Sequence, residues 1–175
     1  MNLAECIRNV PDFPKPGIQF KDISTLLLVP EAFRETVRRF RERYAAMDVQ
    51  GIVGVDARGF VFGGALAYEM GIPFIMARKP GKLPADTVSE SYSLEYGEAT
   101  LEIHQDGIAP GQRVLIMDDL LATGGTVGAV AKMVRKLGGE VVEAAFLVEL
   151  PPLKGRENLA AMDVPVFSLV EFMVD

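Results

Sequence analysis

Val114-Leu115-Ile116-Met117-Asp118-Asp119-Leu120-Leu121-Ala122-Thr123-Gly124-Gly125-Thr126 is the stretch that decides the fold. Val114 to Met117 is a short apolar run of the kind that makes a buried strand, and the two aspartates stand where that run gives out. Thr126 to Leu137 then carries Val127, Val130, Ala131 and Val134 on one helical stripe. The unit is therefore strand, acidic pair, glycine loop, helix. In an open parallel sheet, ligands bind beyond the carboxyl ends of the strands, so this geometry aims Asp118 and Asp119 at a ligand. Thr123-Gly124-Gly125-Thr126 opens the helix: its glycines allow close backbone approach, the free N–H groups and helix dipole favour an anion, and two hydroxyls add donors. That describes a phosphate cradle. Lys132, Arg135 and Lys136 fall in the second half of the helix, where they complement its negative end.

A tight turn with an aspartate cap would explain one carboxylate but not two. Two carboxylates beside a phosphate repel it unless they face sugar hydroxyls or a metal-bound hydroxyl. From Asp119 to Thr123 the chain reaches at most about 13 Å, a span suited to a ribose 5-phosphate. There is no Walker-type glycine, lysine, serine or threonine string and no G-x-G-x-x-G after a strand, so kinase and dehydrogenase readings lose their main support.

Outward from this unit the alternation continues. Ile52 to Val55, Ile72 to Ala77 and Val141 to Val148 read as strands, and Phe60 to Met70, stopped by Gly71, reads as a helix. After Pro30, the apolar residues Phe33, Val37, Phe40 and Tyr44 mark an amphipathic surface helix whose arginines are interleaved with Glu31, Glu35 and Glu42. Strands alternating with helices imply an α/β fold with a central, mainly parallel sheet flanked by helices. With no repeat or linker in the sequence, residues 1–175 form one domain, with a loop-rich start at 1–30 as a small hood. Residues 81–97 show little apolar periodicity and read as a flexible lid loop. Val164 to Phe172 and the preceding Leu153-Lys154-Gly155-Arg156-Glu157 read as fold and not as site.

Composition narrows the class. A net charge of -6 over 175 residues argues against a nucleic-acid partner, because backbone affinity comes from clustered Lys and Arg. The single cysteine, Cys6, excludes an intrachain disulfide and a multi-cysteine metal site and suits a reducing compartment, so a cytoplasmic location is expected. No apolar run has the length of a membrane span and the N-terminus lacks the build of a signal peptide, so neither membrane insertion nor export is indicated. His104 lies in an alternating strand-like run and reads as structural, and the eight Met residues read as packing filler.

A second anion site is expected at Asp56-Ala57-Arg58-Gly59-Phe60, which repeats the order of strand end, glycine-bearing turn and helix start with an arginine on it. Arg78-Lys79-Pro80-Gly81-Lys82 follows the next strand. A strongly charged leaving group such as pyrophosphate could be gripped between these two turns.

The thirteen residues quoted at the outset resemble the phosphoribosyl pyrophosphate signature of the type I phosphoribosyltransferases. Asp12 to Ile18, Phe20 to Ile23, Asp56 to Phe62, Arg78 to Pro84 and Ser91 to Gly97 are similar to successive blocks of that family's adenine-specific branch, so the resemblance covers nearly the whole chain. It implies the family's fold and transfer of phosphoribosyl from phosphoribosyl pyrophosphate to adenine, giving AMP and pyrophosphate. It further implies that Asp118 and Asp119 hold the ribose hydroxyls and that Ala122, Thr123, Gly124, Gly125 and Thr126 hold the 5-phosphate. Pyrophosphate contacts fall to Arg58, Lys79 and Lys82, and the hood closes on adenine around Ile18, Gln19, Phe20 and Lys21. Many relatives carry Arg where this chain has Lys21. Glu95, in the lid, is the implied acid/base for the purine proton. Mg2+ is expected as cofactor, bound through the substrate without direct side-chain ligation, and a homodimer is the family expectation. Hypoxanthine, guanine or xanthine as the accepted base, and a regulator that senses phosphoribosyl pyrophosphate without turnover, stand as the rival readings.

Overall fold

The computed structural model describes residues 1–94 and 97–173. Its centre is a five-stranded parallel sheet of β3 (Gly51–Val55), β4 (Phe74–Ala77), β7 (Arg113–Leu121), β8 (Glu140–Glu149) and β9 (Val166–Glu171), in spatial order β4-β3-β7-β8-β9. The strands read as near-continuous apolar runs because both faces are covered, as a parallel sheet requires. Alternate residues serve the two faces. Ile52, Leu115, Met117, Ala145 and Leu147 pack with Ala32, Val37, Phe40 and Tyr44 of α2 (Pro30–Tyr44) and Phe62 and Leu66 of α3 (Arg58–Met70). Val53, Val55, Val114, Ile116, Ala144 and Phe146 pack with Val127, Val130, Ala131 and Val134 of α4 (Gly125–Lys136). Gly71 ends α3 in the left-handed conformation at φ 65, as the sequence predicts.

The charged face of α2 is internally satisfied: Glu35 binds Arg38 and Arg39, and Arg38 also binds Glu42. Arg43 and the hydroxyl of Tyr44 meet the buried Glu143 of β8. His104 accepts a hydrogen bond at Nε2 from the Ala85 N–H at 3.3 Å, a structural role. Among the described residues no helix is long and apolar enough to cross a membrane.

Three elements differ from the expected pattern. The strand before the phosphate loop does not stop at Met117. Asp118 pairs with Phe146 and Leu120 with Val148, so both aspartates belong to β7, whose apolar pattern resumes at Leu120 and Leu121. Of the segment expected as a lid loop, residues 81–86 are irregular. Thr87–Leu94 is a strand, β5, paired antiparallel with β6 (Gly97–His104) as a projecting two-stranded arm. Its polar composition hides the pattern, because only Val88 and Tyr92 turn their apolar surface to the core. The loop-rich start also carries order: β1 (Arg8–Pro11) pairs with β2 (Gln19–Asp22), and the short α1 (Ser24–Leu27) leads into α2. Phe13 and Phe20 meet edge to face at 5.1 Å across that hairpin. At the other end of the chain, the short α5 (Gly155–Ala160) sits between β8 and β9.

Candidate active site

A cavity of about 620 Å³ opens at the carboxyl ends of β3 and β7. One wall is the acidic pair and the loop after it: Asp118, Asp119 and Ala122 to Thr126. Arg58 and Lys79 also line the cavity, and the arm contributes Tyr92. Residues 60 and more positions apart in the chain meet here because both strand-to-helix junctions discharge on the same edge of the sheet.

The loop is built as a cradle. Gly124 caps α4 at φ 89, a conformation costly for any residue with a Cβ, and Gly128 N–H bonds back to its carbonyl at 2.9 Å. A Cβ on Gly124 would stand 3.2 Å from the carbonyl oxygen of Gly155, and one on Gly125 would stand 3.2 Å from the ring of Tyr92. Thr126 donates its hydroxyl to the Tyr92 phenol at 3.2 Å. The arm thus lies on the loop. Lys136, at the far end of α4, binds the arm as well, at Glu90 and at the carbonyl of Ser89, both at 3.3 Å.

The acidic pair is asymmetric. Asp119 is only 4% exposed and its Oδ2 accepts from Arg58 Nε at 2.6 Å. Asp118 Oδ1 accepts the N–H of Asp119 at 2.8 Å. Burial, with the neighbouring Asp119 charge added, pushes the Asp118 carboxyl well above the usual carboxylate range. The site therefore resists two full negative charges until something cationic, or a set of hydroxyl donors, faces them. Arg58, expected on a free turn, is the first residue of α3 and is already paired with Asp119, which ties the two junctions together.

The remaining expected site residues separate into near and far. Lys79 and Arg58 line the cavity, while Lys82 lies on the exposed turn beyond it. Ile18, Gln19, Phe20 and Lys21 are outside the cavity lining, on the hood hairpin. Phe20 brings the hood nearest, its ring centroid 5.9 Å from the Arg58 guanidinium. Gln19 and Lys21 both bond the side chain of Asn9, at 2.8 and 2.9 Å, and the Lys21 ammonium sits 4.6 Å from the ring centroid of Phe172. Glu95 lies outside the described residues.

The phosphoribosyl transferase domain family matches residues 37–174, the stretch that carries the sheet, the acidic pair, the glycine cradle and Arg58. The chain belongs to this family. Within it the adenine phosphoribosyltransferases are its relatives. That of Shewanella loihica is 52% identical over 170 residues, covering 97% of this chain and 94% of the relative. The crystal structure of adenine phosphoribosyltransferase from Thermoanaerobacter pseudethanolicus superposes with a TM-score of 0.93 at 48% identity, over 98% of this chain and 100% of that one. The Saccharomyces cerevisiae enzyme, crystallised with an imino-altritol bisphosphate and adenine, superposes with a TM-score of 0.89 at 36% identity, over 95% of each chain.

The sequence reading missed what surrounds the phosphoribosyltransferase loop. Asn158 of α5 donates its side-chain amide to the carbonyl of Thr123 at 2.8 Å, and Tyr92 and Lys136 join the arm to the loop and helix. No motif marks Asn158 or Lys136, and Tyr92 falls in the Ser91 to Gly97 block without being singled out. Their signal is spatial, because α5 follows the loop by some 30 residues and reaches it only through the order of strands in the sheet.

Proposed function

We propose that the protein transfers the 5-phosphoribosyl group from phosphoribosyl pyrophosphate to adenine, giving AMP and pyrophosphate. The observation that carries this reading is the shared cavity: it brings carboxylates and an anion cradle, suited to a ribose 5-phosphate, together with Arg58 and Lys79, suited to a diphosphate. Substitution at the anomeric carbon forms a bond from the purine nitrogen and breaks the bond to the diphosphate, through a sugar with cationic character. Buried carboxylates beneath that sugar stabilise the developing charge more than they stabilise the ground state. Arg58, held by Asp119 in the free protein, is placed to turn to the diphosphate as the ribose hydroxyls take over its carboxylate partner.

The base sits under the hood, whose Phe20 ring centroid lies 5.9 Å from the Arg58 guanidinium, and Glu95 accepts the purine proton as the new bond forms. Asp118 and Asp119, which line the cavity, would face the hydroxyls and waters around a Mg2+ ion carried by the substrate. When bound, the ion neutralises charge on the leaving diphosphate. The lone free thiol, Cys6, favours the cytoplasm. A homodimer is supported by exposed apolar residues on the α2 and α3 side, where Tyr68 is 87% exposed beside a groove of about 540 Å³ lined by Phe33, Val37 and Ala65; sedimentation of the native chain and of Tyr68→Glu checks it, the variant shifting to monomer.

The deciding experiment is pyrophosphate release measured with adenine, hypoxanthine, guanine and xanthine in turn. Adenine should be the base that supports turnover. Release with a 6-oxopurine alone would move the chain to another specificity, and tight binding of phosphoribosyl pyrophosphate with no release from any base would make it a sensor.

A further inference from the structure

An anion cradle made of backbone N–H groups works only if each peptide plane is held the right way round, because a flipped plane presents a carbonyl oxygen to the anion instead. Something must fix the Thr123–Gly124 peptide, and the loop's Thr126 hydroxyl is engaged with Tyr92. The fixing contact comes from α5. Asn158 Nδ2 donates to the Thr123 carbonyl at 2.8 Å, which draws that oxygen toward α5. Across a planar trans peptide, the N–H of Gly124 then points the opposite way. Thr123 and Gly124 both line the cavity, so the carbonyl that would repel a phosphate is the one taken up.

The helix that carries Asn158 is itself anchored. Arg156 donates from Nε and Nη2 to the two oxygens of Glu149, at 3.0 and 2.6 Å, and from Nη1 to the Val166 carbonyl at 2.7 Å. Glu149 is 2% exposed and also accepts from the Ser168 hydroxyl at 2.6 Å. This ties α5 to the ends of β8 and β9. Contact with the loop is close on the other side: a Cβ on Gly155 would stand 2.4 Å from the Ala122 carbonyl oxygen. A helix so fixed leaves the Asn158 amide little freedom except at the loop.

We infer that Asn158, mounted on the Arg156–Glu149 anchor, is a positioning residue for the phosphate cradle, setting the Thr123–Gly124 peptide so that its N–H faces the 5-phosphate. The inference rests on the assignment of that loop to the 5-phosphate. Asn158 is exposed, so its replacement leaves the fold standing. In Asn158→Ala, the Kd for AMP and the KM for phosphoribosyl pyrophosphate should each rise about fivefold, the worth of one neutral hydrogen bond, with kcat falling less and the KM for adenine staying within about twofold. Asn158→Asp keeps the shape, loses the donor and sets a negative charge by the loop, so its rise should be about tenfold or more. Melting temperatures within a few degrees of the parent confirm that a folded enzyme is compared. If parent and Asn158→Ala bind AMP alike, or if the KM for adenine rises in proportion, Asn158 does not position the cradle. A parent that binds neither AMP nor ribose 5-phosphate overturns the loop assignment itself, and the inference with it.

Discussion

The two strand-to-helix junctions at the cavity, Ala122 to Gly124 between β7 and α4 and Asp56 to Ala57 between β3 and α3, solve the same problem by different means. The first recognises an anion with backbone. It inserts a short loop before α4, puts Gly124 at φ 89 and supports the loop from outside with α5. The second has almost no loop: α3 begins at Arg58, and recognition falls to that side chain's charge. A backbone cradle has fixed geometry and suits a group present before and after reaction, whereas a long arginine can exchange partners and suits one that leaves. Each junction needs a glycine, for separate reasons. Gly124 supplies a dihedral, and Gly59 supplies closeness, since its Cβ would stand 2.7 Å from the Met117 carbonyl oxygen and 3.2 Å from Asp118 Oδ1.

The largest effect should follow from breaking the cradle. Gly124→Val forces a β-branched residue into a left-handed conformation, costing about 1–2 kcal/mol, and drives its side chain toward Gly155 and Leu159. With the phosphate approach also lost, AMP affinity should fall about a hundredfold. Calorimetric titration of a variant shown to be folded reads this directly, and AMP affinity that survived would take the 5-phosphate out of this loop.

Next comes the other glycine. Gly59→Ala keeps ordinary helical dihedrals but overpacks α3 against β7, which costs about 1–3 kcal/mol of stability. It should also displace Asp118 and so reduce turnover, while AMP affinity falls far less than in Gly124→Val. Equal loss of AMP affinity in both variants would show that the two junctions act as one unit and that the contrast between them is false.

How far this was legible in the sequence follows the same division. Local chemistry was readable: β3, α3, α4 and β8, the acidic pair and the glycine loop all announce themselves through apolar period and turn residues within a dozen positions. What could not be read was polar surface in partnership across long separations. Thr87–Leu94 forms a strand whose Ser, Glu and Thr side chains give no apolar alternation, because within it only Val88 and Tyr92 pack inward, while its partner β6 supplies the buried Leu101 and Ile103. The strand end at Met117 was misread for a related reason, since charged residues inside a buried strand are tolerated here only because Arg58 meets Asp119 from another element. Asn158 and the Arg156–Glu149 anchor lie in a segment with no motif, and their bearing on the site exists only once β7, β8 and β9 are placed side by side.

A smaller effect sharpens the asymmetry of the acidic pair. Burial and the Asp119 charge raise the Asp118 carboxyl above its value in the unfolded chain, so the folded state binds more protons between the ordinary value, near 3.9, and the raised one. Stability contributed by this group therefore falls as pH rises through that window. Asp118→Asn removes the loss, so the ligand-free variant should melt higher than the parent at pH 7, and the difference should close as pH falls toward 4. Turnover should drop about tenfold or more with KM for phosphoribosyl pyrophosphate changing less. A variant less stable than the parent at neutral pH would mean that the pair is already compensated in the free protein.

The smallest effect concerns what joins the cradle to the arm. Lys136 is half-exposed, its ion pair with Glu90 is 3.3 Å long, and its second contact is a carbonyl. An exposed pair of this kind is worth at most about 0.5–1 kcal/mol and weakens with salt. Lys136→Met keeps the length and apolar stem of the side chain, so the packing of Val88 and Tyr92 under the arm should persist. Turnover with adenine should then change by no more than about threefold, and that change should shrink further between 50 mM and 500 mM salt as the native pair is screened. Among the described residues the second junction makes no ion pair with the arm, so Arg58 variants should show no matching salt dependence in arm protection measured by hydrogen exchange of Ser89 to Tyr92. Faster exchange there in Lys136→Met, at low salt only, identifies the pair as the tether. Unchanged exchange at every salt concentration assigns the docking of the arm to Tyr92 and Thr126 alone, and the cradle then holds its cover by packing and one hydroxyl contact.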